Sequence, residues 1–165
     1  MSDTRTLEDI AKSMKDIDFC MLVSRAQDGS MGGRPMSNNR QVEYQGTSYF
    51  FTEDNARMVD DIQRDASVGL TYQGKPGVLG IVGKPGLFIH VEGEARLIRD
   101  KQAFLDHWNP DLERWFADGA DTPGLVLIEV HAKRIHYWDG EEEGEVKLPG
   151  SLAPNAATPE FPAGV

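Results

Sequence analysis

The stretch Tyr49-Phe50-Phe51-Thr52-Glu53-Asp54-Asn55-Ala56-Arg57 runs an aromatic strand into a threonine and then starts a helix with an arginine in its first turn. A helix N-terminus presents unpaired N–H groups and the positive end of the macrodipole, so it suits an anion such as phosphate. Thr52 and Asn55 add short donors there, and Arg57 adds a planar cation that grips phosphate oxygens in pairs. Upstream, Arg34-Pro35-Met36 belongs to a strand able to lie alongside; downstream, Trp115-Phe116 and Tyr137-Trp138 supply flat apolar surface. A phosphate cradle beside aromatic and thioether surface points to a phosphorylated, planar cofactor.

Before the cradle, Thr6-Leu7-Glu8-Asp9 has the form of a capping box, and Leu7, Ile10, Ala11, Met14 and Ile17 recur at helical spacing. Phe19 to Arg25 reads as a buried strand closed by the turn Gln27-Asp28-Gly29, and a second strand begins near Met31. Proline lacks the ladder donor, so Pro35 marks a bulge or an edge. Strand Ser48 to Thr52 follows, and Asp54 or Asn55 is expected to cap a helix to about Arg64. Ser67 to Tyr72 makes a fourth strand. Gly74-Lys75-Pro76-Gly77 and Gly83-Lys84-Pro85-Gly86 then repeat around a short apolar run. Val78 and Pro85 stand where a P-loop needs Gly and Ser or Thr, so two tight turns are the better reading.

Leu87 to Ile98 is a long strand with a bulge expected at Gly93, and Asp100 caps a helix to about Trp108. Pro110 opens a helical turn ending around Phe116 to Gly119. Leu125 to Val130 and Ile135 to Trp138 are read as closing strands, and Glu141-Glu142-Glu143 as a solvated acidic patch. The pattern predicts a mainly β fold with α-helices: a barrel of about six antiparallel strands flanked by helices. One domain is expected over 1–148, and the Pro- and Ala-rich stretch 149–165 reads as a disordered tail.

The 165 residues suffice for one domain with a real core, and 39% hydrophobic with 27% charged residues is ordinary for a globular chain. The net charge of −10 argues against nucleic acid or an anionic membrane as partner. Cys20 stands alone, so no internal disulfide forms; no apolar run approaches spanning length, and Met1 to Arg5 lacks a signal-peptide core. A cytoplasmic protein is expected. The histidines form no metal pattern, Glu92 and Glu94 alone do not make a hydrolase, and no serine sits in a nucleophile elbow. No catalytic residue is nominated.

With these segments placed, the chain resembles the general stress protein 26-like branch of the pyridoxamine 5′-phosphate oxidase-related, flavin-binding split-barrel superfamily. The resemblance runs in order through the leading helix, Phe19 to Ser24, Gly33-Arg34-Pro35-Met36 and Tyr49-Phe50-Phe51-Thr52. It continues through Asn55-Ala56-Arg57, Gly93-Glu94-Ala95, Trp115-Phe116-Ala117-Asp118-Gly119 and Tyr137-Trp138-Asp139. It implies an FMN-binding split barrel, as a homodimer holding FMN, or sometimes FAD, at the subunit interface. Trp115 would then reach the flavin from the opposite chain. The cofactor-binding residues so nominated are Arg34, Pro35, Met36, Phe51, Thr52, Asn55, Arg57, Trp115 and Phe116. Two departures stand out: Asn55 and Arg57 occupy positions where the family commonly has Ser and Lys, and the segment from Gly74 to Gly86 is richer in glycine.

Most of the nominated residues also have a plainer reading. Arg57 pairs with Asp60 or Asp61 in one and with phosphate in the other. Thr52 ends a strand, Asn55 caps a helix, and Met36, Trp115 and Phe116 fill core. Two functions fit such a pocket: a flavin-dependent oxidoreductase linked to stress response, with an unknown small-molecule substrate, or a flavin-storing stress protein without turnover.

Overall fold

Residues 4–38, 43–75 and 86–149 are described by the computed structural model of the chain. They form helix α1 (Leu7–Met14), strands β1 (Phe19–Arg25), β2 (Met31–Ser37) and β3 (Thr47–Glu53), helix α2 (Arg57–Arg64), and strands β4 (Ser67–Gln73) and β5 (Phe88–Ile98). Helix α3 (Lys101–His107), two short 3-10 turns at Pro110–Arg114 and Gly119–Asp121, and strands β6 (Leu125–Asp139) and β7 (Glu142–Lys147) complete them.

The strands make one antiparallel sheet in the order β2-β1-β4-β5-β6-β3, with β7 also pairing to β6. Alternation along the strands turns Leu22, Leu70, Val91, Ile128 and Ile135 into a common core, all at 1% exposure or less. Helix α1 closes that core with Ile10, Ala11 and Met14. Its capping box is formed as expected: Thr6 Oγ1 accepts from Asp9 N at 3.2 Å, and Asp9 Oδ2 accepts from Thr6 N at 2.8 Å. A second, smaller core gathers Phe51, Phe104, Leu112, Leu125 and Leu127 beneath α3 and the 3-10 turns. Among the described residues the terminal strands of the sheet path, β2 and β3, have no ladder between them, so the barrel is split along that line.

The sheet has seven strands, in keeping with the expected barrel of about six, and two of its segments differ from their sequence reading. The expected closing strands Leu125–Val130 and Ile135–Trp138 are one continuous strand. Ala132-Lys133-Arg134 hid its continuity: β5 pairs Glu92 with Arg134 and Gly93 with Ala132, leaving Lys133 as the extra residue. The bulge expected at Gly93 is there, with the inserted residue on the facing strand. A Cβ on Gly93 would lie 2.6 Å from the His131 carbonyl oxygen, so only glycine allows this approach. The acidic patch at Glu141–Glu143 is not plain solvated loop, because Glu142 and Glu143 open β7, paired to Asp139 and Trp138.

Helix α2 also departs from expectation at its start. Ala56, not Asp54 or Asn55, is its N-cap, and no side chain caps it. Asp54 instead accepts from Arg99 Nη2 at 2.6 Å. The two-turn reading of the Gly74–Gly86 segment lies outside the described residues for 76–85, as does the tail reading beyond Pro149. Among the described residues no helix is long and apolar enough to cross a membrane.

Candidate functional site

A cavity of about 300 Å³ opens where β2 and β3 face each other across the split. From β2 come Arg34, Pro35, Met36 and Ser37; from β3 comes Phe51; Phe19 of β1 and Leu112, Trp115 and Phe116 of the 3-10 segment complete the lining. Six of the nine nominated residues therefore surround one cavity. Phe19, Ser37 and Leu112 were not foreseen, because only the pairing of β1 with β2 and the folding-back of the 3-10 turn bring them there.

The geometry of β2 follows from its register. Met36 pairs with Cys20 and Arg34 with Leu22, while Pro35 pairs with Met21 on the opposite face. The pairing runs unbroken from Met31 to Ser37, so Pro35 does not disturb the pleat and Arg34 and Met36 share the inward face. Pro35 is tolerated because β2 is an edge strand. Met36 is 6% exposed; Arg34, near the open split, is exposed and is the one charged side chain among the described residues of the lining.

The aromatic wall is held by the second core. Phe51 is packed edge-on by Trp108 and Phe104 at centroid distances of 5.1 and 6.0 Å, and Trp108 meets Phe116 at 6.2 Å. Asn109 Oδ1 accepts from Asp111 N at 2.9 Å to start the 3-10 turn, and Leu112 anchors it at 3% exposure. Trp115 follows with its N–H donating to the Leu112 carbonyl at 2.9 Å, and its ring remains 60% exposed beneath the Arg114 guanidinium. Trp115 lines the cavity of its own chain.

Thr52, Asn55 and Arg57 lie off the cavity lining, on the segment that continues from Phe51 into α2. Thr52 is 2% exposed, yet its Oγ1 has no hydrogen-bond partner among the described residues. Arg57 begins α2, whose first turn lacks a side-chain cap. Of the two carboxylates expected as the alternative partners of Arg57, Asp60 and Asp61, the second is bound instead to Arg64 and Ser24. Arg57 instead lies near Asp28 in the β1–β2 turn. Hydrogen bonds from Ser30 lower the Asp28 pKa most, and the charge of Arg57 adds to the effect. Arg57 is therefore toward the turn end of the β1–β2 hairpin, while Ser37 and Phe19 mark the cavity at its open end.

Several other ionisable groups are engaged away from the cavity. Hydrogen bonds from Arg134 hold Glu92 below the usual carboxylate range, and Glu94 pairs with Lys133. Burial raises Glu129, but hydrogen bonds from His131 and Arg96 outweigh it and leave the carboxyl lowered. Burial pushes the Cys20 thiol up to about 12, which keeps it an inert thiol beside Tyr72. Among the described residues no group of three or more His, Cys, Asp or Glu could hold a metal ion.

A family model for "Pyridoxamine 5′-phosphate oxidase like" proteins matches residues 5–160. The chain belongs to the pyridoxamine 5′-phosphate oxidase-like family. Within it, the chain is 27% identical over 119 residues to general stress protein 26 of Bacillus subtilis, covering 70% of this chain and 79% of that one. The solved structure of general stress protein 26 from Bacillus anthracis superposes with a TM-score of 0.66 at 23% identity, covering 86% of this chain and 97% of that one. A heme binding protein from Mycobacterium smegmatis reaches the same TM-score at 10% identity, covering 87% of this chain and 58% of that one. These likenesses establish a pyridoxamine 5′-phosphate oxidase-like split barrel.

Proposed function

We propose that this chain binds FMN, with the ring system in the cavity between β2 and β3 and the phosphate at the Thr52–Arg57 segment, and that it serves as a flavin-dependent oxidoreductase. The observation that carries this reading is the buried, unpartnered Thr52 Oγ1 leading into a helix whose first turn no side chain caps. Unpaired buried polar atoms are rare because each costs stability, so one on the strand that leads into the N-terminus of α2 suits a ligand acceptor. Arg57 supplies the charge, and the apolar wall of Phe51, Met36, Phe116 and Trp115 suits a flat ring.

When bound, a flavin supplies the redox chemistry itself. The chain's residues bind and orient it. Arg34 places a permanent cation at a cavity whose other described lining residues are uncharged, where it favours ligand states carrying negative charge. Asn55 and Arg57 are exposed, which leaves room for the second phosphate of FAD. A haem reading is less well supported. Among the described residues the lining offers iron one thioether, Met36, and no imidazole, thiolate or phenolate.

A homodimer belongs to the same proposal. The outward face of β1 and β2 exposes Phe19 by 50%, Met21 by 42% and Met31 by 58%, continuous with Pro35 at the cavity. A second copy on this face would bury these groups symmetrically and cover the cavity mouth at Phe19. The test is titration of the purified protein with FMN and with riboflavin, followed by fluorescence quenching, alongside light scattering. Tighter binding of FMN than riboflavin by a dimer supports the reading; equal weak binding of both by a monomer overturns it. The flavin-storage alternative differs only in turnover. Steady oxidation of reduced nicotinamide by the loaded protein in the presence of an acceptor favours the enzyme.

A further inference from the structure

Asp61 is a carboxylate at 3% exposure in the middle of α2. Its Oδ2 accepts from Ser24 Oγ of β1 at 3.1 Å, and its Oδ1 accepts from Arg64 Nη2 at 3.2 Å. Ser24 is itself 2% exposed. The other inward positions of α2 are Met58, Val59 and Ile62, which already supply its apolar contact. Burying a carboxylate among them is costly unless something specific is gained. Apolar contacts let a helix slide and rotate by fractions of a turn at little cost, whereas a hydrogen bond fixes direction and distance. The Asp61–Ser24 bond is such a fixture, one helical turn beyond Arg57. Arg25 also pairs with Asp65, the C-cap of α2, at 3.4 Å, but this pair is about half exposed and so contributes little.

We propose that Asp61, acting through Ser24, is a positioning residue for the phosphate site. It sets the height and rotation of α2 on β1 so that the uncapped first turn and Arg57 converge with Thr52 Oγ1. This rests on the flavin reading above. Charge alone argues the opposite sign, because a carboxylate one turn from a helix N-terminus opposes a bound anion. Removing Asp61 should therefore tighten phosphate binding if only charge matters, and loosen it if position matters.

The test compares FMN and riboflavin affinities, whose ratio isolates the phosphate. The double variant Ser24→Ala with Asp61→Leu replaces both partners by apolar groups, which preserves packing while removing the tie. It is expected to keep the wild-type far-UV spectrum and riboflavin affinity, while the FMN-to-riboflavin ratio falls by about tenfold or more. Asp61→Asn keeps an acceptor for Ser24 Oγ and should hold the ratio within about twofold of wild type. A folded double variant with the wild-type ratio, or a higher one, overturns the proposal. Should that variant not fold, Ser24→Ala alone is read in the same way. If the wild type itself binds FMN no more tightly than riboflavin, the phosphate reading falls first and this inference with it.

Discussion

Replacing Thr52 by valine should stabilise the free protein and weaken its ligand, two effects of opposite sign from one atom. Valine keeps the branched shape and exchanges the hydroxyl for a methyl. The hydroxyl is buried at 2% exposure without a partner, a condition that costs about 1–3 kcal/mol on the evidence of protein variants. Relief of about 1–2 kcal/mol in a domain of this size raises Tm by roughly 2–8 °C. In the complex, the same hydroxyl is proposed to donate to a phosphate oxygen, and losing such a charge-assisted bond costs about 1.5–3 kcal/mol. FMN affinity should fall by about ten- to a hundredfold while riboflavin affinity stays near its starting value. Urea or thermal melts of ligand-free protein and fluorescence titrations with both flavins read the two effects separately. A Thr52→Val protein that melts below wild type, or that loses FMN and riboflavin equally, would refute the assignment of this hydroxyl to phosphate.

Arg57→Ala, at an exposed position, should leave stability within about 0.5 kcal/mol yet weaken FMN about tenfold more than riboflavin, as paired titrations would register. Trp115→Ala should likewise spare the melt, because the ring is 60% exposed, but shift the absorption bands and lower the affinity of both flavins; an unchanged spectrum would return Trp115 to a surface role. Cys20 gives a pH prediction with a definite sign. Its folded pKa is raised from 9.0 to about 12, so the unfolded chain releases this proton first and stability falls as pH rises from near 9 toward 12. Cys20→Ser should flatten that alkaline limb in denaturant melts, and thiol reagents at pH 8 should modify the wild type only once it unfolds.

Where a signal was local, the sequence carried it. The Thr6–Asp9 box, the Asp100 cap, the Gln27–Gly29 turn and the edge position of Pro35 each depend on a few neighbouring residues, and each is formed. The shared face of Arg34 and Met36 also followed from strand parity alone. Signals that depend on pairing were not legible. Residues 131–134 look like a break because polar side chains interrupt the apolar run, but β5 and β6 together tolerate one inserted residue at Lys133. Strand β7 is glutamate-rich because it lies beside solvent, where charge discourages edge-to-edge association. The N-cap of α2 was misplaced because Asp54 and Asn55 are strong cap formers, and no local rule favours Ala56 over them. Phe19, Ser37 and Leu112 reach the cavity only through tertiary folding, and the Asp61–Ser24 bond joins residues 37 positions apart.

The most direct test of the central claim is the absorption spectrum of the protein, purified without added cofactor and then titrated with FMN. The account predicts flavin bands, or on titration their appearance with quenched fluorescence, saturating near one FMN per chain, and mass analysis of the released ligand returning FMN or FAD. A colourless protein that leaves FMN fluorescence unquenched, or one whose bands are those of haem, would contradict it.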